Sequence, residues 1–331
     1  MNLIQQLPSE LLAVFREFRT CEFTTLNKSQ TPVTWPTLPF CDPANNRFII
    51  TTSIGLPEKV FNVRRNPRVS LLFSDPTASG LSNPPTVLVQ GDAVAPDQVG
   101  TSVAGFEEQL REVFRRQPAS KMYSSNPLMR YLFDWYYMRL TIEITPRRIL
   151  WWEKGDTSRL PHQVQDDGSA SRGAKAALQA KGNDPTTAQV AQWQEFVRFF
   201  PSFKSAVLTA FDETGYPQSM RCQPKLDSSL HQVRIPIAAG VALRPGAASL
   251  LLHSHDEALW NQRSYMLRGQ VAQEGEQWIL QPDKYTPGMG VHGILGLIQF
   301  VRGARRNAAN YLQKRNLPRP AIPWEAINAC K

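Results

Sequence analysis

The residues of this chain best equipped for chemistry stand together in the run RFIITTSIGLPEKVFNVRRNPRVSLLF, positions 47–73. Three hydroxyl residues, Thr51, Thr52 and Ser53, end a β-branched apolar run, and Gly55 permits a turn. Pro57 is a favoured opening residue for a helix, and Lys59 follows within the first turn. Hydroxyls, free backbone N–H groups at a helix start and an ammonium on one spot are the chemistry of a monophosphate cradle. The same residues also suit a capped surface helix with flanking basic side chains, so the motif by itself leaves both readings open.

Other constellations carry less. Gly288-Met-Gly290-Val-His-Gly293 spells G-x-G-x-x-G before a helical pattern. No strand follows it and no acid stands at the ribose-binding distance, which sets the dinucleotide reading aside. His253 and His255 alternate on one strand and share a face, but no third ligand accompanies them, and no metal site is expected. Asp212, Glu213 and Asp227 fall in turns and form no paired acid–base site. Neither G-x-S-x-G nor H-E-x-x-H occurs, and no catalytic side chain is named.

The elements that must position Lys59 are mostly strands. Alternating or β-branched runs at 22–26, 33–40, 47–52, 69–74, 86–93, 140–144 and 148–152 read as strands, with helical composition at 58–65. Helices are also expected at 9–18, 106–116 and 128–138.

A long-period repeat then organises the whole chain. Segment 21–40 lies without gaps over 206–225, with Thr24 on Thr209, Pro32 on Pro217 and Pro39 on Pro224. The same offset carries Asp42 onto Asp227, Ile50 onto Ile235 and Gly55 onto Gly240. After a deletion, NPRVSLLFSD resembles RPGAASLLLHSHD, and VLVQGDA resembles YMLRGQV. The deletion removes the candidate cradle: ten residues separate Gly55 from Asn66, but only three separate Gly240 from Arg244. Thr51-Thr52-Ser53 is matched by Pro236-Ile237-Ala238, which offers a phosphate no hydroxyl. The second copy therefore reads as structural.

The fold class expected is mainly β with peripheral helices (α+β), two tandem β-barrel-type domains. Residues 1–154 form the first, 155–187 a linker rich in Asp, Gly, Ser and Lys with a helix-like patch at 174–180, and 188–331 the second. The second opens with a helix at 188–200, as the first does at 9–18.

Composition bounds the setting. A chain of 331 residues, 42% hydrophobic and 20% charged, suits a soluble protein with two cores. Its apolar runs are too short to span a bilayer, and 1–20 is an amphipathic helix pattern instead of a signal peptide. Four scattered cysteines show no metal or disulfide spacing, which fits a reducing, cytoplasmic compartment. Of the net charge of +9, six positive charges lie at Arg302, Arg305, Arg306, Lys314, Arg315 and Arg319 with no acid among them. The preferred reading is the solvated face of a C-terminal helix, with Leu297, Phe300, Val301, Ala304, Ala308, Tyr311 and Leu312 beneath it. No RNA or DNA module accompanies the charge, so a nucleic-acid or anionic-membrane contact is the lesser reading.

The stretch 47–73 is similar to the flavin-binding split-barrel family, which includes pyridoxamine 5′-phosphate oxidase and the flavin/deazaflavin oxidoreductases. NPRVSLLF at 66–73 matches that family's N-P-R-V-S-L, and Lys59 stands at its phosphate-lysine spacing. TPVTWPTLPF at 31–40 resembles the strand along which the flavin ring lies, and ITPRRILWWE at 144–153 resembles the closing strand. The resemblance covers 9–153 and, more faintly, 188–275, and implies two tandem split β-barrels.

It implies that Trp35, Pro36, Thr37 and Leu38 line the ring of FMN, while Thr52, Ser53 and Lys59 hold its phosphate and Asn62 adds a contact. It implies further an FMN-dependent oxidoreductase acting on a small molecule with a separate electron donor. The alternatives are a deazaflavin reductase and a non-catalytic flavin- or haem-binding protein. Members of the family pair two copies around the site, so a chain with two copies is expected to be a monomer with an internal pseudo-dimer. Arg221 and Gln223 would then reach the first copy's pocket. The chain departs from the family pattern at Thr31, Trp35, Pro57 and Glu58.

Overall fold

The computed structural model describes residues 2–101, 106–166, 186–236, 238, 240–290 and 293–331. The first half runs α1 (Ser9–Glu17), β1 (Cys21–Leu26), β2 (Pro32–Thr37), β3 (Phe40–Asp42), β4 (Arg47–Ser53), α2 (Glu58–Arg65), β5 (Arg68–Phe73) and β6 (Thr86–Val94). Helices α3 (Glu107–Arg116) and α4 (Pro127–Phe133) come next, then β7 (Arg139–Trp152) and β8 (His162–Gln165). The second half runs α5 (Thr187–Phe199), β9 (Ala206–Phe211), β10 (Pro217–Cys222), β11 (Lys225–Asp227), β12 (Gln232–Pro236), β13 (Arg244–Ser254), β14 (Arg263–Glu274) and β15 (Gln277–Pro287). Helices α6 (Gly293–Gln313) and α7 (Trp324–Ala329) end the chain.

The two sheets share one topology. The first is ordered β2-β1-β5-β6-β7-β4-β3, and the second β10-β9-β13-β14-β15-β12-β11, strand for strand the same path. Both are curled antiparallel sheets with peripheral helices, the mainly β tandem split-barrel arrangement. A shared irregularity marks the duplication. The ladder slips between Gln90 and Gly91 against β7, and between Arg268 and Gly269 against β15, leaving Arg147 and Asp283 as the bulged residues. A Cβ on Gly91 would sit 2.4 Å from the Thr145 carbonyl oxygen, and one on Gly269 1.9 Å from that of Gln281. Only glycine admits this approach, which is why QGD and RGQ occupy matching places.

Strands β5, β6 and β7 carry the apolar runs Leu71–Phe73, Val87–Val89 and Ile149–Trp152, because both of their faces are covered there. Leu71, Val89 and Ile149 point into the first core, with Phe15, Phe48 and Phe73. Their neighbours Leu72, Leu88 and Leu150 point the other way, into the second core with Leu208, Leu250 and Tyr265. The halves are thus joined by an apolar sheet-to-sheet contact rather than tethered by a linker.

Several expectations are corrected. The strand expected at 33–40 divides into β2 and β3, broken at Leu38-Pro39. The strands at 140–144 and 148–152 are one strand, β7, bent by its bulge. The helix expected at 128–138 ends at Phe133 and tightens into a 3-10 turn, Asp134–Tyr137. Within 155–187, β8 adds a strand to β7, and Trp151 stacks on His162; the patch at 174–180 lies outside the described residues.

The C-terminal segment belongs by sequence to the second copy but packs on the first. Ala304, Ala308, Tyr311 and Leu312 of α6 enter the first core. Ile327 and Cys330, in and beside α7, meet Leu110, Phe114 and Tyr137. Leu297, expected beneath α6, is instead 51% exposed. Arg305 and Arg319 pair with Asp134, and Arg315 with Asp97, so half of the basic run is neutralised by acids of the first half. Among the described residues no helix is long and apolar enough to cross a membrane.

Candidate functional site

The turn from β4 into α2 is built as its sequence suggests, but its hydroxyls serve the turn. Ser53 Oγ donates to the Trp135 carbonyl at 2.5 Å and accepts from the Gly55 N–H at 2.9 Å. Thr52 Oγ1 donates to the Leu56 carbonyl at 3.1 Å. Gly55 is forced by a crossing: a Cβ there would lie 2.8 Å from the Ala304 carbonyl oxygen of α6. Asn62 is fully buried, donates to Thr25 Oγ1 at 2.9 Å and accepts from Arg65, fastening α2 to β1.

Lys59 is different. It projects half-buried from the first turn of α2, and its Nζ lies 4.8 Å from the centre of the Trp35 ring. Among the described residues no carboxylate lies within ion-pair distance of it. Burial, with a smaller push from the Arg139 charge, lowers its pKa from the ordinary 10.5 to about 8. The Trp35 indole Nε1 is also buried without a hydrogen-bond partner.

These two residues border a cavity of about 790 Å³, within the range of cofactor sites. One wall is Thr34–Pro36 of β2 with Leu56 to Lys59 and Phe61, from the first half. The opposite wall is Leu251, Met266 and Thr286, from β13, β14 and β15 of the second half. Helix α6 closes it with Leu297, Phe300, Asn307, Asn310 and Lys314. Glu58 is the one carboxylate among the described lining residues, and no histidine or cysteine is among them. The arrangement suits an apolar planar body with an anionic end and offers no paired acid–base machinery.

Of the residues singled out in the sequence, Trp35, Pro36 and Lys59 meet at this cavity. Thr37, Leu38, Thr52, Ser53 and Asn62 are not among its lining residues; Thr37 Oγ1 instead approaches Cys21 Sγ at 3.5 Å. Arg221 and Gln223 line a second cavity, of about 980 Å³. The repeat explains the correction. Met220, Arg221, Cys222 and Gln223 are the counterparts of Trp35, Pro36, Thr37 and Leu38, so they border the pseudo-symmetric mate of the first cavity. There Arg221 is engaged by Glu22 at 2.7 Å, by Ser74 and by Ser205. The second half carries no described helix between β12 and β13, and Lys59 has no counterpart.

The wall residues from β13–β15 and α6 escaped sequence reading. The spacing of Leu297, Phe300, Asn307, Asn310 and Lys314 does place them on one helix face, a signal that marks a face without saying what it meets. Of the G-x-G-x-x-G motif, Gly288, Gly290 and Gly293 border the same cavity, and positions 291–292 lie outside the described residues. His253 Nε2 lies 2.8 Å from Glu22 Oε1 in the interface.

No family model matches the sequence, and no curated protein does. Among solved structures, the chain is similar to a Clostridium acetobutylicum protein related to general stress protein 26 of B. subtilis, of the pyridoxinephosphate oxidase family. The identity is 9%, over 48% of this chain and 94% of that one, with a TM-score of 0.33. It is also similar to HutZ, the heme storage protein of Vibrio cholerae, at 11% identity over 44% and 92% of the two chains, TM-score 0.30. An F420 reductase is similar at 17% identity over 42% and 93%, TM-score 0.29.

Proposed function

We propose that the chain is a flavin-binding protein of oxidoreductase type, with FMN as the ligand of the first half's cavity. The observation that carries this reading is Lys59, a half-buried cation with no acid within ion-pair distance among the described residues, beside Trp35 at the edge of a cavity. An ammonium held out of water without a counter-ion is costly, and an anionic ligand group supplies the missing partner. The residues fit the group: Lys59 would hold the phosphate, Trp35 and Pro36 would border the ring, and Met266 and Leu251 of the second half add apolar lining to the same cavity. When bound, the flavin carries the electrons exchanged between a donor and a small organic substrate. The chain's own part is to bind, orient and keep water from the ring, which requires no catalytic side chain.

Non-catalytic flavin binding is the second reading, favoured by a lining whose one carboxylate is Glu58. The absorbance spectrum of purified protein separates the two. Flavin bands that bleach with NAD(P)H, then recover with an organic acceptor, support the enzyme; bands that bleach only with dithionite support the binder. Lys59→Ala should lower FMN affinity by about ten- to a hundred-fold, the scale of a charged hydrogen bond, and leave riboflavin unchanged. Equal loss for both ligands would overturn the phosphate assignment. Because the two halves already pair with each other, the chain should sediment as a monomer.

A further inference from the structure

Helix α6 is amphipathic along its second half, where Ala304, Ala308, Tyr311 and Leu312 enter the first core. Its opening turns are apolar on both sides. Leu297 borders the cavity. Leu295, two residues earlier and so about 200° round the helix, lies outside the cavity wall and is 73% exposed. Ile298, one turn after Leu295, is also exposed and outside that wall. A ligand in the cavity covers neither. Single exposed apolar side chains are ordinary, but a cluster of them marks a contact.

The face that carries Leu295 and Ile298 continues as Arg302 and Arg306, both exposed. Among the described residues no acid lies within ion-pair distance of either. Their neighbour Arg305 pairs with Asp134, which Arg319 also engages, and its guanidinium lies 4.4 Å from the centre of the Tyr131 ring. Helix α4 is thereby fastened beside α6. Tyr131 is 67% exposed and Leu128, one turn before it, 65%. Two adjacent helices thus show solvent aliphatic and aromatic side chains together with two unbalanced guanidinium groups.

We infer that this surface docks on an anionic lipid bilayer, with Leu295, Ile298, Leu128 and Tyr131 entering the headgroup region and Arg302 and Arg306 meeting lipid phosphates. Charge selects the occupant. A second copy docked about a two-fold axis would set Arg302 and Arg306 against their own duplicates, in a chain of net charge +9. Nucleic acid would satisfy the guanidinium groups but leave the aliphatic side chains in water. An anionic bilayer accepts both. Leu297 stands on the same opening turns, so docking brings the rim of the first cavity to the lipid surface. The surface would dock whether or not that cavity holds a flavin.

The experiment sediments the full chain with vesicles of phosphatidylcholine, alone or mixed with phosphatidylglycerol, at low and physiological salt. The wild type should bind the mixed vesicles, bind phosphatidylcholine weakly, and lose affinity as salt rises. Arg302→Gln and Arg306→Gln should each weaken binding by about five-fold, the factor for one basic residue at an anionic surface. Leu295→Ser combined with Ile298→Ser should weaken it by about ten-fold, with the circular dichroism spectrum unchanged. Lys28→Gln combined with Lys225→Gln removes two exposed charges elsewhere and should change binding by less than about two-fold. Equal loss from the lysine pair, or no binding to mixed vesicles at low salt, overturns the inference. So does self-association or duplex DNA binding that Leu295→Ser with Ile298→Ser abolishes while vesicles are ignored.

Discussion

Thr34 Oγ1 lies 3.1 Å from Thr209 Oγ1, a side-chain hydrogen bond between the two halves of the chain. It belongs to a closed ring of four buried hydroxyls. Thr24 meets Thr34 at 2.9 Å, its repeat counterpart Thr209 meets Ser219 at 2.8 Å, and Thr24 reaches Ser219 at 3.4 Å. The duplication maps this ring onto itself, which places it on the pseudo-two-fold axis between the sheets. All four are fully buried, and the partners they have are one another and Ser249, whose Oγ lies 3.4 Å from Thr34 Oγ1.

Thr34→Val should therefore destabilise the chain by about 2–3 kcal/mol, since it deletes a donor and leaves buried partners unsatisfied. Thr34→Ser should retain most of the stability. Because the ring and the apolar contact join the halves, urea unfolding should remain a single transition with coincident fluorescence and circular dichroism curves. Two separated transitions would show that the halves fold independently.

A second interface device is charged. Glu22, with no exposed surface, receives Arg221 at 2.7 Å, His253 at 2.8 Å and Ser74 at 2.9 Å. Burial alone would raise its pKa, but the Arg221 charge and the hydrogen bonds from His253 and Ser74 outweigh it, and the value lies below the ordinary 4.5. A depressed folded pKa means the unfolded chain binds more protons there. The stabilisation is thus present above about pH 4.5 and is lost as pH falls through the folded value. Arg221→Met should strand the carboxylate, cost about 3 kcal/mol at neutral pH and flatten the acid limb of a pH–stability profile. An unchanged profile would remove Glu22 from the account of acid unfolding.

Lys59 gives a pH signature of the same sign in an alkaline window. Its folded pKa of about 8 lies below the ordinary 10.5, so the unfolded chain binds more protons between those values. Ligand-free stability should then rise with pH across that window, and Lys59→Met should abolish the rise. A phosphate beside the ammonium restores its affinity for the proton. FMN affinity should consequently be flat just below pH 8 and fall above it by up to about tenfold per pH unit, with calorimetry in two buffers reading proton uptake on binding. Affinity independent of pH from 7 to 10 would exclude Lys59 as the phosphate partner.

Stoichiometry follows from the missing helix. Both cavities are lined by repeat-related residues, but only the first has α2 and Lys59, and in the second Arg221 is already engaged by Glu22. Flavin titrated against a known concentration of chain should saturate at one equivalent. Two equivalent sites would mean that the second cavity holds a phosphate without a lysine.

Much of this protein is legible along the chain. The repeat predicts one strand order twice, and Gly91 and Gly269 mark the same bulge in each copy, because pleat alternation, turns and bulges depend on neighbours in sequence. The extent of α2, Glu58–Arg65, is read correctly from composition and the Asn66-Pro67 stop. The place of Lys59, in the first turn of a helix after a hydroxyl-rich strand end, is also a local property.

What joins distant segments is decided only in three dimensions. Thr52, Ser53 and Asn62 have the donors a phosphate wants, yet Leu56, Trp135 and Thr25 already take them. Arg221 and Gln223 go to the mate cavity because a two-fold axis sends equivalent strands to opposite sites. Helix α6 leaves its own copy and packs Ala304, Ala308 and Tyr311 into the other's core, where Gly55 lets the backbones approach. A hydrogen bond needs its partner within about 3 Å and a close-packed core needs matched shapes, and neither distance nor shape is carried by the order of residues until the sheets have met.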